Sequence, residues 1–88
     1  QKLIQQVPLW SLSKACNRLN RSFNFDDFAN TLDFVNRVAA LAEAEGHHPE
    51  ISFGWGHAEI EIFTHKIDGL HENDFVLAAK IDQLPQNK

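Results

Sequence analysis

Apolar and polar positions alternate over residues 19–25: Leu19, Arg21, Phe23 and Phe25 fall on one face, and Asn20, Ser22 and Asn24 on the other. A period of two is that of a half-buried strand. Residues 9–12 form a weaker strand, which the polar stretch 13–17 folds back onto the first as a hairpin. The period then lengthens. Over residues 26–45, Phe28, Leu32, Val35, Ala39 and Ala42 recur at spacings of three and four, which predicts a helix with these side chains inward. Asp26 and Asp27 suit its positive N-terminal end, and Gly46 suits a left-handed stop. A flanking stripe of Phe34, Val38 and Leu41 makes the apolar face wider than one sheet contact needs, so part of it is expected to meet another subunit.

Residues 50–65 read as a second hairpin with Gly56 and His57 as the two central turn residues, glycine first. That turn pairs Trp55 with Ala58, Phe53 with Ile60 and Ile51 with Ile62, all apolar and all on one face. Gly54 with Glu59, Ser52 with Glu61, and Glu50 with Phe63 form the other face. Extended to its open end, the register sets His48 opposite His65, with β-carbons about 5 Å apart. Gly69 marks a turn, and residues 72–84 form the last helix, with Leu77, Ala78, Ile81 and Leu84 inward and Asp74 in its first turn. The order β-β-α-β-β-α predicts an α+β fold: a four-stranded antiparallel sheet with helices packed on one face.

At 88 residues the chain has room for one domain, spanning 1–88, and Pro8, Pro49 and Pro85 fall at element boundaries. A chain this short buries roughly 60–65% of its unfolded surface, and a small sheet has exposed edges, so a homo-oligomer is expected. With 43% hydrophobic and 23% charged residues the composition is that of a globular protein. No apolar run approaches the ~18 residues of a membrane span. Eight Lys and Arg against 12 Asp and Glu give a net charge of −4, the wrong sign for gripping a phosphate backbone. A lone cysteine, Cys16, cannot form an intrachain disulfide, which fits a reducing, cytoplasmic setting. The chain opens on Gln1, so its start says nothing about targeting.

The candidate chemistry lies in the histidines. Imidazole ordinarily titrates nearest to neutral pH, so two or three around one pocket supply both an acid and a base. His47 and His48 follow the helix stop, Pro49 restricts His48 to extended geometry, and Glu43 sits one turn back, within reach of an imidazole. The plainer reading makes His47 and His48 a solvated helix exit and His65 an ordinary strand end. A zinc site is a third, although no HExxH motif is present and Cys16 is remote in sequence. His57 is read as a turn residue and His71 as a capping one. Trp55, Trp10 and the phenylalanines are read as core with stacking on a flat ligand as the alternative, and Glu59 and Glu61 as a solvated face.

Glu43-x-x-x-His47-His48-Pro49, then Trp55, His65 and Asp74, resembles the signature of the pterin-4a-carbinolamine dehydratases. Leu19-x-Arg21-x-Phe23-x-Phe25-x-Asp27-Phe28, Thr64-His65 and Gly69-Leu70 agree with it. The likeness runs from Trp10 to Leu84. It implies dehydration of 4a-hydroxytetrahydropterin to quinonoid dihydropterin, regenerating cofactor for aromatic amino-acid hydroxylases. His47, His48 and His65 would be the active-site histidines and Glu43 and Asp74 the supporting acids. His47 and His65 would exchange acid and base roles while His48 binds. Pterin is then the substrate, with no separate cofactor and no metal, and a homodimer or homotetramer is implied. Two features depart from the family: His71 stands where Thr or Ser usually caps the last helix, and the first family helix is missing or reduced to residues 1–7. Relatives of this fold also act without catalysis, as a dimerisation cofactor for a transcription factor or as Rubisco assembly factors, so a protein partner is the alternative.

Overall fold

The computed structural model describes residues 2–85. After a 3-10 helix at Lys2–Gln6 come β1 (Ser11–Leu12), β2 (Leu19–Asn24), α1 (Phe28–Glu45), β3 (Glu50–Phe53), β4 (His57–Ile62), a 3-10 turn at His65–Ile67 and α2 (Glu72–Asp82). The four strands form one antiparallel sheet in the order β1-β2-β4-β3, the α+β architecture the alternation predicted. Residues Lys2–Gln6, where the resemblance left a reduced first helix, form a short 3-10 helix; Leu3 and Ile4 pack against the core, and the following Val7 is buried. Residue 1 of that expected segment, like 86–88 of the expected domain, lies outside the described residues.

Period two decides the two faces of the sheet. Leu19 and Phe23 of β2 and Ala58, Ile60 and Ile62 of β4 are buried beneath the helices with Phe34, Val38, Leu77 and Ile81. Each fully buried Leu, Ile or Phe contributes about 1.5–3 kcal/mol of transfer free energy. Arg21 shares the inward side of β2 and is accommodated by an ion pair to Asp82 at the end of α2, with its guanidinium 4.2 Å from the Phe23 ring centre. Asp82 also accepts a hydrogen bond from Trp10 Nε1 at 2.8 Å, which ties the entry to β1 to the same helix end. The opposite face is polar: Asn20, Ser22, Glu50, Ser52, Glu59 and Glu61 line an open groove of about 320 Å³.

Three expectations are corrected. The β3–β4 register is two residues away from the predicted one: Ile51 pairs with Ile60 and Phe53 with Ala58. Trp55 and Gly56 are the turn, closed by Gly54 N–H donating to His57 O at 2.9 Å and anchored where Phe25 N–H donates to Gly56 O at 2.8 Å. A two-residue shift preserves every residue's face, which is why the facial pattern held while the pairing changed. The ladder stops at Glu50 opposite Glu61, so His48 does not pair with His65, and Trp55, placed in the core, is 68% exposed.

The second correction is the rotation of α1. Thr31, Phe34, Val35, Val38 and Ala42 form its buried face, whereas Phe28, Leu32 and Ala39 are exposed. Of the stripe expected to meet another subunit, Phe34 and Val38 are core and Leu41 packs partly buried against it, because α1 is apolar over a wide arc and Thr31 can enter by donating to Asp27 O and Trp55 O. Asp27, and not Asp26, caps this helix, accepting from Asn30 N at 2.8 Å. The third is smaller: α2 ends at Asp82, and Leu84 packs partly buried beyond it.

Candidate functional site

The N-terminal end of α2 fixes a fully buried carboxylate, that of Asp74. His71 caps the helix, its Nδ1 accepting from Asn73 N at 3.2 Å, while its own backbone N–H donates to Asp74 Oδ2 at 2.7 Å. This reciprocal capping box holds the Asp74 side chain at 0% exposure. Oδ2 also accepts from Thr64 Oγ1 at 2.7 Å, and Oδ1 meets His47 Nε2 in a short contact. A buried carboxylate without partners would cost several kcal/mol; here three segments supply donors.

His47 reaches that carboxylate because α1 stops where it does. Gly46 adopts φ 64°, its N–H donates to Glu43 O, and His47 N–H donates to Ala42 O at 3.1 Å, the paired bonds of a Schellman stop. A carboxylate oxygen accepts, so Nε2 is the His47 nitrogen that carries hydrogen toward Asp74. Nδ1 has no hydrogen-bond partner among the described residues. The ring is 21% exposed and lines a cavity of about 200 Å³ with Glu45, Gly46, Asn73, Val76 and Leu77.

His65 arrives from the other side. Past β4, Thr64 and Gly69 pair across a tight loop, with Thr64 N–H donating to Gly69 O at 2.8 Å, and the 3-10 turn His65–Ile67 fills it. Thr64 turns inward to Asp74, and His65, exposed, packs its ring 4.3 Å from that of Phe63. His48 Nε2 donates to Glu43 Oε2 at 3.0 Å, as the spacing of the two allowed, and both side chains are largely exposed.

Of the five residues singled out in the sequence, the structure joins His47 to Asp74 and His48 to Glu43, and links His65 to the first pair through its neighbour Thr64. The cavity beside His47 is lined by neither His48 nor His65. Thr64 and His71 were missed as site residues; the capping signature usually begins with Ser or Thr, so His71-x-x-Asp74 does not announce itself. His71 does cap α2, as read. His57 opens β4 instead of sitting in the turn, its ring close over Gly54 and Nδ1 2.9 Å from Glu59 Oε2. Among the described residues, no three His, Cys, Asp or Glu side chains are grouped so as to hold a metal ion.

The sequence model of the family described as pterin 4 alpha carbinolamine dehydratase matches residues 1–84. Relatives named "Putative pterin-4-alpha-carbinolamine dehydratase" include one from Methylococcus capsulatus, 54% identical over 96% of this chain and 74% of its own length. Another, from Rubrobacter xylanophilus, is 57% identical over 96% of this chain and 78% of its own. Among solved structures, a transcriptional coactivator/pterin dehydratase from Brucella melitensis superposes with a TM-score of 0.85 at 27% identity, over 92% of this chain and 86% of that one. A pterin dehydratase-like protein identified as a RuBisCO assembly factor in the alpha-carboxysome gives 0.75 at 29% identity, over 90% and 92%.

Proposed function

Because this chain belongs to the pterin 4 alpha carbinolamine dehydratase family, we propose that it is a hydro-lyase that converts 4a-hydroxytetrahydropterin to quinonoid dihydropterin and water, recycling a tetrahydropterin cofactor. The observation that carries this reading is the buried Asp74 carboxylate, which holds His47 by Nε2 and Thr64, next to His65, by its hydroxyl. Elimination needs one proton delivered to the departing 4a hydroxyl and one removed from the pterin ring; no electrons enter or leave. His47, oriented by Asp74, presents Nδ1 to the substrate, as an imidazole backed by a carboxylate does in general acid–base chemistry. His65 takes the complementary role, and the two exchange according to which face of the ring carries the hydroxyl. His48, with Glu43 on its Nε2, binds the substrate. The pterin is the substrate, and the scheme uses no further cofactor or metal.

The purified protein is expected to accelerate breakdown of 4a-hydroxytetrahydropterin, followed by the decay of its ultraviolet absorbance. His47→Ala and His65→Ala should each lower the rate by about 10²–10⁴-fold. A wild-type rate equal to the uncatalysed one, or an unchanged rate in His65→Ala, overturns the proposal.

One surface supports self-association of this enzyme, with a protein-binding module as the second reading of the same patch. Phe28, Leu32, Phe53 and Trp55 are 44%, 37%, 40% and 68% exposed, and the Phe28 and Phe53 rings lie 6.2 Å apart across α1 and β3. They flank the outer edge of β3, which pairs with no further strand among the described residues. The occupant proposed is a second copy of the chain, giving a homodimer or a homotetramer; the coactivator and assembly-factor relatives make another protein the alternative.

A further inference from the structure

His65 sits on a turn with no hydrogen bond to its ring among the described residues, and one side chain reaches both flanks of that turn. Arg18, in the loop between β1 and β2, stacks its guanidinium 3.6 Å from the centre of the Phe63 ring and donates from Nη2 to Asp68 Oδ1 at 2.6 Å. Phe63 lies two residues before His65 and is in ring contact with it at 4.3 Å; Asp68 ends the 3-10 turn in a left-handed conformation, φ 47°, with its N–H donating to His65 O at 3.2 Å. Arg18 itself is fixed from a third direction by Nη1 donating to Asn17 O at 2.8 Å.

We infer that Arg18 is a positioning residue for His65, setting the imidazole through Phe63 on one side and Asp68 on the other; this rests on the dehydratase reading above for its catalytic meaning. The stacked contact carries more of the effect than the ion pair. A guanidinium over an aromatic face keeps its attraction when partly buried, and the Arg18 side chain is 21% exposed, whereas Asp68 is 77% exposed and its Coulomb term is screened by water. Lysine is a poor substitute, because its point charge has no plane to lay on the ring. An imidazole that must meet its substrate within a fraction of an ångström depends on such a clamp, since a misplacement of about 1 Å costs up to about 10²-fold.

The test uses the intact chain and the variants Arg18→Ala, Arg18→Lys and Phe63→Leu, with Arg37→Ala, whose ion pair to Asp33 is exposed on α1, as the control. Two readouts are taken: steady-state kinetics with 4a-hydroxytetrahydropterin, and the ring C–H resonances of His65, which Phe63 shifts by its ring current. Arg18→Ala is expected to lower kcat about 10-fold with KM within about two-fold. It should also move the His65 resonances, Arg18→Lys should recover part of both effects, and Arg37→Ala should change neither. Phe63→Leu, which keeps apolar bulk, decides the matter by kcat against KM if Arg18→Ala does not fold, since loss of the aromatic ring moves the His65 resonances by itself. His65 resonances and kcat that coincide with wild type in the folded Arg18 variants, or a wild-type kcat in Phe63→Leu where Arg18→Ala does not fold, overturn the inference, whatever happens to the melting temperature. If the wild type has no turnover, the dehydratase reading falls and the resonances alone judge the positioning role.

Discussion

Asp74 has three obligations, to His47, Thr64 and the His71 backbone, and each comes from a different segment. Removing it therefore does more than delete a helix-start acid. Asp74→Ala leaves three donors without their acceptor, and unfolding in urea should show a loss of about 3 kcal/mol together with loss of dehydratase rate. Thr64→Val keeps the shape and removes one donor, so about 1 kcal/mol is expected, with a smaller fall in kcat. A Thr64→Val loss as large as that of Asp74→Ala would place the weight on Thr64 packing instead. At this scale the sequence was partly legible: Glu43 beside His48 followed from helix spacing, and Asp74 stood out only through the family signature. Its link to Thr64 was hidden because it depends on two loops meeting.

Among the elements, the glycine at the stop of α1 and the glycine in the β3–β4 turn are required for different reasons. Gly46 holds a left-handed conformation with open space around a would-be Cβ, so Gly46→Ala should cost about 1 kcal/mol of conformational strain. At Gly56 a Cβ would stand 2.9 Å from Phe25 O, the backbone that anchors the turn, and Gly56→Ala is expected to destabilise more than Gly46→Ala in the same urea titration. The reverse order would mean that the turn moves freely away from Phe25. This anchor is also why the hairpin register differs from the one the residues suggested. Alternation specifies faces modulo two, whereas the choice among registers two apart belongs to the turn, and here the turn answers to β2. The rotation of α1 has a similar origin: two apolar stripes lie side by side on the helix, and the sheet selects the one containing Thr31.

Viewed whole, four of the chain's eight Lys and Arg side chains are held in ion pairs. Arg18, Arg21, Arg37 and Lys80 are all ion-paired, to Asp68, Asp82, Asp33 and Glu45. A net charge of −4 is the wrong sign for gripping a phosphate backbone. Among the described residues, no helix is long and apolar enough to cross a membrane. The surface that stands out is apolar, the Phe28, Leu32, Phe53 and Trp55 patch beside the β3 edge. If two copies cover it, sedimentation velocity should give an oligomer for the wild type, and Leu32→Glu with Phe53→Glu should bring the mass down to that of one chain. A monomeric wild type would assign the patch to another partner.

Taken alone, the order of residues determined the element types, the sheet faces and the stop at Gly46, because each follows from periods of two and 3.6 and from local backbone preference. Tertiary structure decided the hairpin register, the stripe of α1 that is buried, and the meeting of His47 with Thr64 on one carboxylate. These depend on contacts between segments far apart in the chain, where several arrangements satisfy the same pattern and only packing of the whole selects one.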